Sequence, residues 1–72
     1  MELTLGYSDK KGAHTIMPIR PEQVEDKLKW LAKRRYNAVL WETDNRENEI
    51  GWVWKHEESG WSWCYDTDIM KN

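Results

Sequence analysis

The chain has no phenylalanine, one cysteine, two prolines and four glycines among its 72 residues. A lone cysteine excludes an intramolecular disulfide framework and a zinc finger built on cysteine ligands. The glycines stand singly at positions 6, 12, 51 and 60, so no glycine-rich phosphate-binding loop is present. No apolar run approaches the ~18 residues that a membrane span requires. The opening MELTLGYSDKK lacks the basic start and apolar stretch of a secretory leader, so a cytoplasmic location is expected. Charge of neither sign dominates: 11 Lys/Arg against 13 Asp/Glu leave a net charge of -2, which argues against a strongly basic nucleic-acid binder. The length suits one small domain, which buries only about 60% of its extended-chain surface.

Tryptophan is what the chain has in quantity: six Trp and three Tyr. Five of the six Trp lie in the second half, at 41, 52, 54, 61 and 63. With Leu, Ile and Val in short supply, most of these indoles are expected to supply the volume of a small core. The competing expectation is an exposed recognition face, because Trp and Tyr dominate binding hot spots. Charge also divides along the chain, with a balance of +3 over residues 1–37 and -5 over residues 38–72. A dipolar chain of this kind can offer its acidic half to a basic partner.

Alternation of Leu3, Leu5 and Tyr7 predicts a half-buried strand over 2–7, and residues 8–12 carry turn chemistry ending in Gly12. Residues 13–19 read as the returning strand, with Pro18 marking a sheet edge. Two registers are open: a four-residue loop sets Ile16 beside Leu5, and a five-residue loop sets Thr15 and Met17 there. Pro21 suits a first helical position, and Glu22, Glu25 and Asp26 sit where the helix dipole favours anions. Lys33, Arg34 and Arg35 occupy the opposite end, and Asn37 is the expected terminator, giving a helix over about 21–36. Its apolar stripe is Val24, Leu28, Leu31 and Ala32, with Tyr36 at the margin.

Three more strands are expected, over 37–44, 49–57 and 61–67, separated by turns at 44–48 and 57–60. Ile50, Trp52, Trp54 and His56 alternate onto one face of the second of these, and Trp61, Trp63, Tyr65 and Thr67 onto one face of the third. A four-residue loop at 57–60 pairs His56 with Trp61, Trp54 with Trp63 and Trp52 with Tyr65, whereas a two-residue Ser59-Gly60 turn pairs Trp54 with Tyr65. Both even loops gather the aromatic rings on one face; only an odd loop sets Trp54 on the face of Cys64. Residues 68–72 read as a frayed tail. The order β-β-α-β-β-β predicts an α+β fold, one helix packed on an antiparallel sheet.

No catalytic constellation is expected. A nucleophile needs an adjacent base, itself oriented by a third group. His56 and Cys64 fall on opposite faces in the even registers, so Cys64 reads as a semi-buried packing residue and His56 as a solvated one. Asp44, Asn45, Glu47, Asn48 and Glu49 form an acidic stretch without the glycine and ligand spacing of an EF-hand, and Asp66 and Asp68 only alternate along a strand. Neither a metal nor a cofactor is therefore expected. Phosphate would be repelled by the carboxylates around the aromatic strands.

Binding is the remaining chemistry. Trp30 falls roughly 240° round the helix from Val24, away from the apolar stripe. Lys27, Lys33 and Arg34 surround it, the pattern of an aromatic anchor ringed by charge. The second candidate surface is the acidic half, through Glu42, Asp44, Glu57, Glu58 and Asp66. In general type, a short, mildly acidic, aromatic-rich chain without a catalytic motif resembles small accessory proteins of phages and mobile elements. That resemblance implies a non-enzymatic binding module, an accessory or inhibitor protein that occupies a surface on a protein partner. The alternative expectation is a Trp platform for carbohydrate or single-stranded nucleic acid.

Overall fold

A computed structural model describes residues 2–66. In chain order the elements are β1 (Leu3–Ser8), β2 (His14–Ile19), α1 (Pro21–Arg34), β3 (Asn37–Glu42), β4 (Asn45–His56) and β5 (Gly60–Tyr65). The strands form one antiparallel sheet in the order β2-β1-β3-β4-β5, and α1 lies across one of its faces, mainly on β3, β4 and β5. This is the α+β architecture that the element order predicts. The tail expected over 68–72, and Thr67 on the last strand, lie outside the described residues.

Local chemistry explains the helix limits. Arg20 is extended, its N–H donates to Gln23 Oε1 at 3.4 Å, and Pro21 takes the first helical position. The helix stops two residues before the expected 36. Arg35 adopts the left-handed conformation (φ 62°), and the N–H groups of Arg35 and Tyr36 close on the carbonyls of Ala32 and Leu31. Asn37, the expected terminator, is instead the first residue of β3. Val24, Leu28 and Leu31 are fully buried, as the apolar stripe requires.

The first hairpin takes the five-residue loop. Ser8 pairs with His14 and Leu5 with Met17, and the Asp9 carboxylate accepts from the N–H groups of Lys11 and Ala13. Leu3, Leu5 and Tyr7 therefore face the helix with Met17 and Ile19, while Ile16 points the other way beside Gly6.

The last hairpin overturns the expected even loop. His56 pairs with Gly60, leaving a three-residue loop at 57–59, and Gly60 takes a positive φ of 82° that side chains disfavour. Trp52 then pairs with Cys64, Val53 with Trp63 and Trp54 with Ser62. The aromatic rings are split between the two faces instead of sharing one. Trp61, Trp63 and Tyr65 turn toward the helix, and Trp52 and Trp54 turn away from it.

Two further expectations fail on β4. Residues 45–48 are strand, not turn, because Glu42 pairs with Asn45 and only Thr43 and Asp44 connect β3 to β4. The register slips on both sides of Trp41, so Leu40 opposes Gly51 and Trp41 opposes Glu49. The bulge leaves Ile50 in the core with Val53, not on the face of Trp52 and Trp54. A Cβ at Gly51 would stand 3.1 Å from the Leu40 side chain and 3.3 Å from the Cys64 carbonyl, so little room is left there for any side chain.

The core is aliphatic. Leu3, Leu5, Val24, Leu28, Leu31, Leu40, Ile50 and Val53 are each at most 2% exposed. Trp61 and Trp63 pack only at its margin, and Trp41, the most buried indole among the described residues at 8% exposure, lies on the opposite face of the sheet. The expectation that tryptophan supplies the core volume is therefore wrong. An indole is large and carries an N–H, so it is rarely buried whole, and eight compact aliphatic side chains fill this small interior.

Candidate functional site

The face of the sheet opposite α1 carries no covering element among the described residues. It presents Ile16 from β2, Val39 and Trp41 from β3, Trp52 and Trp54 from β4, and Cys64 from β5. Ile16 is 71% exposed and Trp54 38%, both unusual for side chains of this size. One shallow hollow runs past Gly6, Ile16, Val39 and Trp41, and another is walled by Trp52, Trp54 and Cys64.

This face is held in place by a chain of contacts. The Trp41 ring lies over Gly6, where an added Cβ would fall 2.9 Å from Cζ3. The Arg46 guanidinium lies over that ring, 4.1 Å from its centroid, and reaches Glu49 at 3.8 Å. The second Glu49 oxygen accepts from Trp52 Nε1 at 3.1 Å, and Asn48 Nδ2 donates to Glu42 at 3.1 Å. Trp41, Arg46, Glu49 and Trp52 thus form one connected rim, and a surface with fixed rotamers loses little entropy on association.

At one end of the same face, Ser8 Oγ lies 2.7 Å from His14 Nδ1, a distance suited to a nucleophile and its base. Asn37 stands beside Ser8 on β3. The pair is exposed, and His14 has no other hydrogen-bond partner among the described residues, so nothing orients the imidazole. Sequence reading missed this contact because it depends on the five-residue loop. His56 and Cys64 share a face, contrary to the expectation drawn from even loops. They still do not meet: Cys64 opposes Trp52, four residues and roughly 13 Å along the strand from His56. His56 accepts at Nδ1 from the Glu58 N–H at 3.3 Å. Among the described residues no three His, Cys, Asp or Glu side chains stand close enough to share a metal ion.

The residues singled out around the helix do converge. Trp30 is 40% exposed, with Lys27 Nζ 4.3 Å and Arg34 Cζ 4.6 Å from its ring centroid. It meets Tyr36 edge to face, and Tyr36 stacks on Tyr7 at 6.2 Å with the planes 11° apart. Lys33 is exposed on the same turn and touches none of these rings. The acidic candidates do not gather into one face. Glu42 and Asp44 stand at the β3–β4 turn, Glu57 and Glu58 at the β4–β5 loop, and the whole length of β4 lies between. Asp66 follows β5, its N–H bonded to the Ile50 carbonyl at 2.8 Å. The expected turns at 44–48 and 57–60, one at each end of a single strand, already imply this separation.

No family model matches the chain, and neither a curated protein nor a solved structure matches it. No helix among the described residues is long and apolar enough to cross a membrane.

Proposed function

We propose that the chain is a non-enzymatic binding module that acts by occupying a surface on a protein partner, in the manner of a small accessory or inhibitor protein. The observation that carries this reading is the open sheet face, where Ile16 and Trp54 stand exposed beside half-buried Trp52 on a five-stranded support. A contiguous apolar patch rimmed by polar groups is the signature of an interaction surface, and aromatic anchors at its centre supply most of the affinity. The incomplete surroundings of Ser8 and His14 support a role without catalysis.

The test is retention of partner proteins from a lysate of the native source, by the immobilised parent and by an Ile16→Ser, Trp54→Ser variant. Both side chains are exposed, so the variant is expected to melt within about 3 °C of the parent. Proteins held by the parent are expected to be lost by the variant; equal retention would overturn the reading. A fluorophosphonate reagent is expected to leave Ser8 unlabelled, and stoichiometric labelling would bring hydrolysis forward.

A second reading rests on the wall formed by Trp52, Trp54 and Cys64. Two indoles on alternate positions of one strand suit stacking on a sugar ring, whose hydroxyls tolerate nearby carboxylates such as Glu49. Titration of tryptophan emission with neutral oligosaccharides separates the two readings: a saturable change lost in Trp54→Ser favours the platform.

A further inference from the structure

The two edges of the sheet are built differently. β2 forms one and β5 the other, and among the described residues neither has a strand on its outer side. The hydrogen bonds just beyond each strand fix which backbone groups point outward. Asp9 donates to the Ala13 carbonyl, so alternation along the β1–β2 register turns the backbone groups of His14, Ile16 and Pro18 outward. Pro18 has no N–H, and the outer row of β2 is broken there. Asp66 donates to the Ile50 carbonyl, so the same alternation along β4–β5 turns the N–H and carbonyl groups of Trp61 and Trp63 outward.

β5 lacks the features that keep a sheet edge from pairing. Gly60–Tyr65 holds no charged residue and no proline, and its register with β4 has no bulge. Charges stand only beyond its ends, at Glu58 and Asp66. Each of its six residues is half-buried, so water still reaches the strand along its length. An outer row of this kind is a template for another strand, and its main-chain groups supply the contact.

We propose that β5 pairs with β5 of a second copy of the chain, antiparallel about a twofold axis at Ser62. The N–H and carbonyl groups of Trp61 then bond to those of Trp63 in the second copy, and those of Trp63 to Trp61. Trp61 faces Trp63 of the other copy on the helix side, a cross-strand aromatic pair that the axis repeats. Ser62 meets Ser62 on the open side, where the Cα atoms of such a pair approach to about 4.5 Å and only small side chains fit easily. A second copy suits this edge because its β5 is already extended, with the matching outer row in place. A segment from an unfolded region would have to be ordered first. β2 of a second copy fits less well, since Pro18 removes a donor from its outer row. The contact therefore closes at two copies instead of growing head to tail. The two sheets become one, with their open faces side by side and the two β4 strands about 14 Å apart. What those open faces bind is a separate question.

Sedimentation equilibrium of the full chain tests this, from about 10 to about 500 μM. The parent is expected to move from a mass of 8.7 kDa toward twice that value as concentration rises. Trp61→Pro removes an outward N–H as Pro18 does on β2, and Trp61→Ala removes the indole while keeping that N–H. Dimerisation is expected to be at least about tenfold weaker in the proline variant than in the alanine variant. Should Trp61→Pro fail to fold, Ser62→Lys sets like charges together at the axis and is expected to weaken the dimer about tenfold. Ile16→Ser, Trp54→Ser on the open face is expected to leave it unchanged. A parent that stays at 8.7 kDa throughout would overturn the proposal. So would equal dimerisation in folded Trp61→Pro and Trp61→Ala, an unweakened Ser62→Lys, or loss of the dimer in the Ile16, Trp54 variant. Retention of lysate proteins, which tests the open face, is read separately from mass.

Discussion

The two faces of the sheet use the same strands for opposite purposes. On the helix side, eight aliphatic side chains at most 2% exposed make the interior. On the open side, the apolar residues are few, large and wet, and only Trp41 is buried, beneath Arg46 and over Gly6. Residue volume alone would have sent the indoles inward. The difference shows that a 72-residue chain closes its core with compact hydrocarbon and leaves its Trp side chains at the margins and on the uncovered face.

The helix-side core should be the more fragile under truncation. Leu28→Ala removes a fully buried side chain from the middle of that core and is expected to cost about 2–5 kcal/mol, read from urea melts. A loss below about 1 kcal/mol would mean that the two faces are not energetically distinct.

A smaller effect is expected from the one place where the open face is tightly packed. Gly6→Ala sets a methyl group 2.9 Å from the Trp41 ring and should destabilise by about 1–3 kcal/mol, with a shift in tryptophan emission as the ring moves. Adding Trp41→Leu should recover part of that loss. If Gly6→Ala melts like the parent, the ring is free to shift and the open face is softer than its contacts suggest.

The smallest effect concerns pH. Burial on the helix side raises the Tyr65 phenol above its ordinary value of 10.0, because the phenolate is the form that loses hydration. The native state therefore holds this proton more tightly than the unfolded chain. Its contribution to stability is complete below pH 10 and is lost as the pH climbs through the raised value. Spectrophotometric titration of the parent against Tyr65→Phe should show one phenol ionising late. A Tyr65 that titrates at the ordinary value would place it in water, outside the packed face.

Patterns of short range were legible in the sequence. Alternation placed Leu3 and Leu5 on a buried face, and the helical period placed Val24, Leu28 and Leu31 on another, because each pattern is a property of one element. The same period took Trp30 off the apolar stripe and set Lys27 and Arg34 beside it, one turn away on either side. Where two elements had to agree, the sequence was ambiguous. One residue more or less in the loop at 57–59 decides whether Trp61, Trp63 and Tyr65 share a face with Trp52 and Trp54 or oppose it, since side chains alternate strictly along a strand. The bulge at Ile50 could not be foreseen either, as it arises from the fit of β4 against β3.

The sequence by itself determined the number and order of the elements, the helix stripe and the placement of Lys27 and Arg34 beside Trp30. All of these depend on residues no more than a few positions apart. Tertiary structure alone decided that the core is aliphatic, that the aromatic rings divide between the two sheet faces, and that one of those faces stays open. Those outcomes depend on register, and register is a contest between whole faces for the same buried volume. A single-residue slip reverses every side chain in a strand, so the choice is made by the packing of the complete fold.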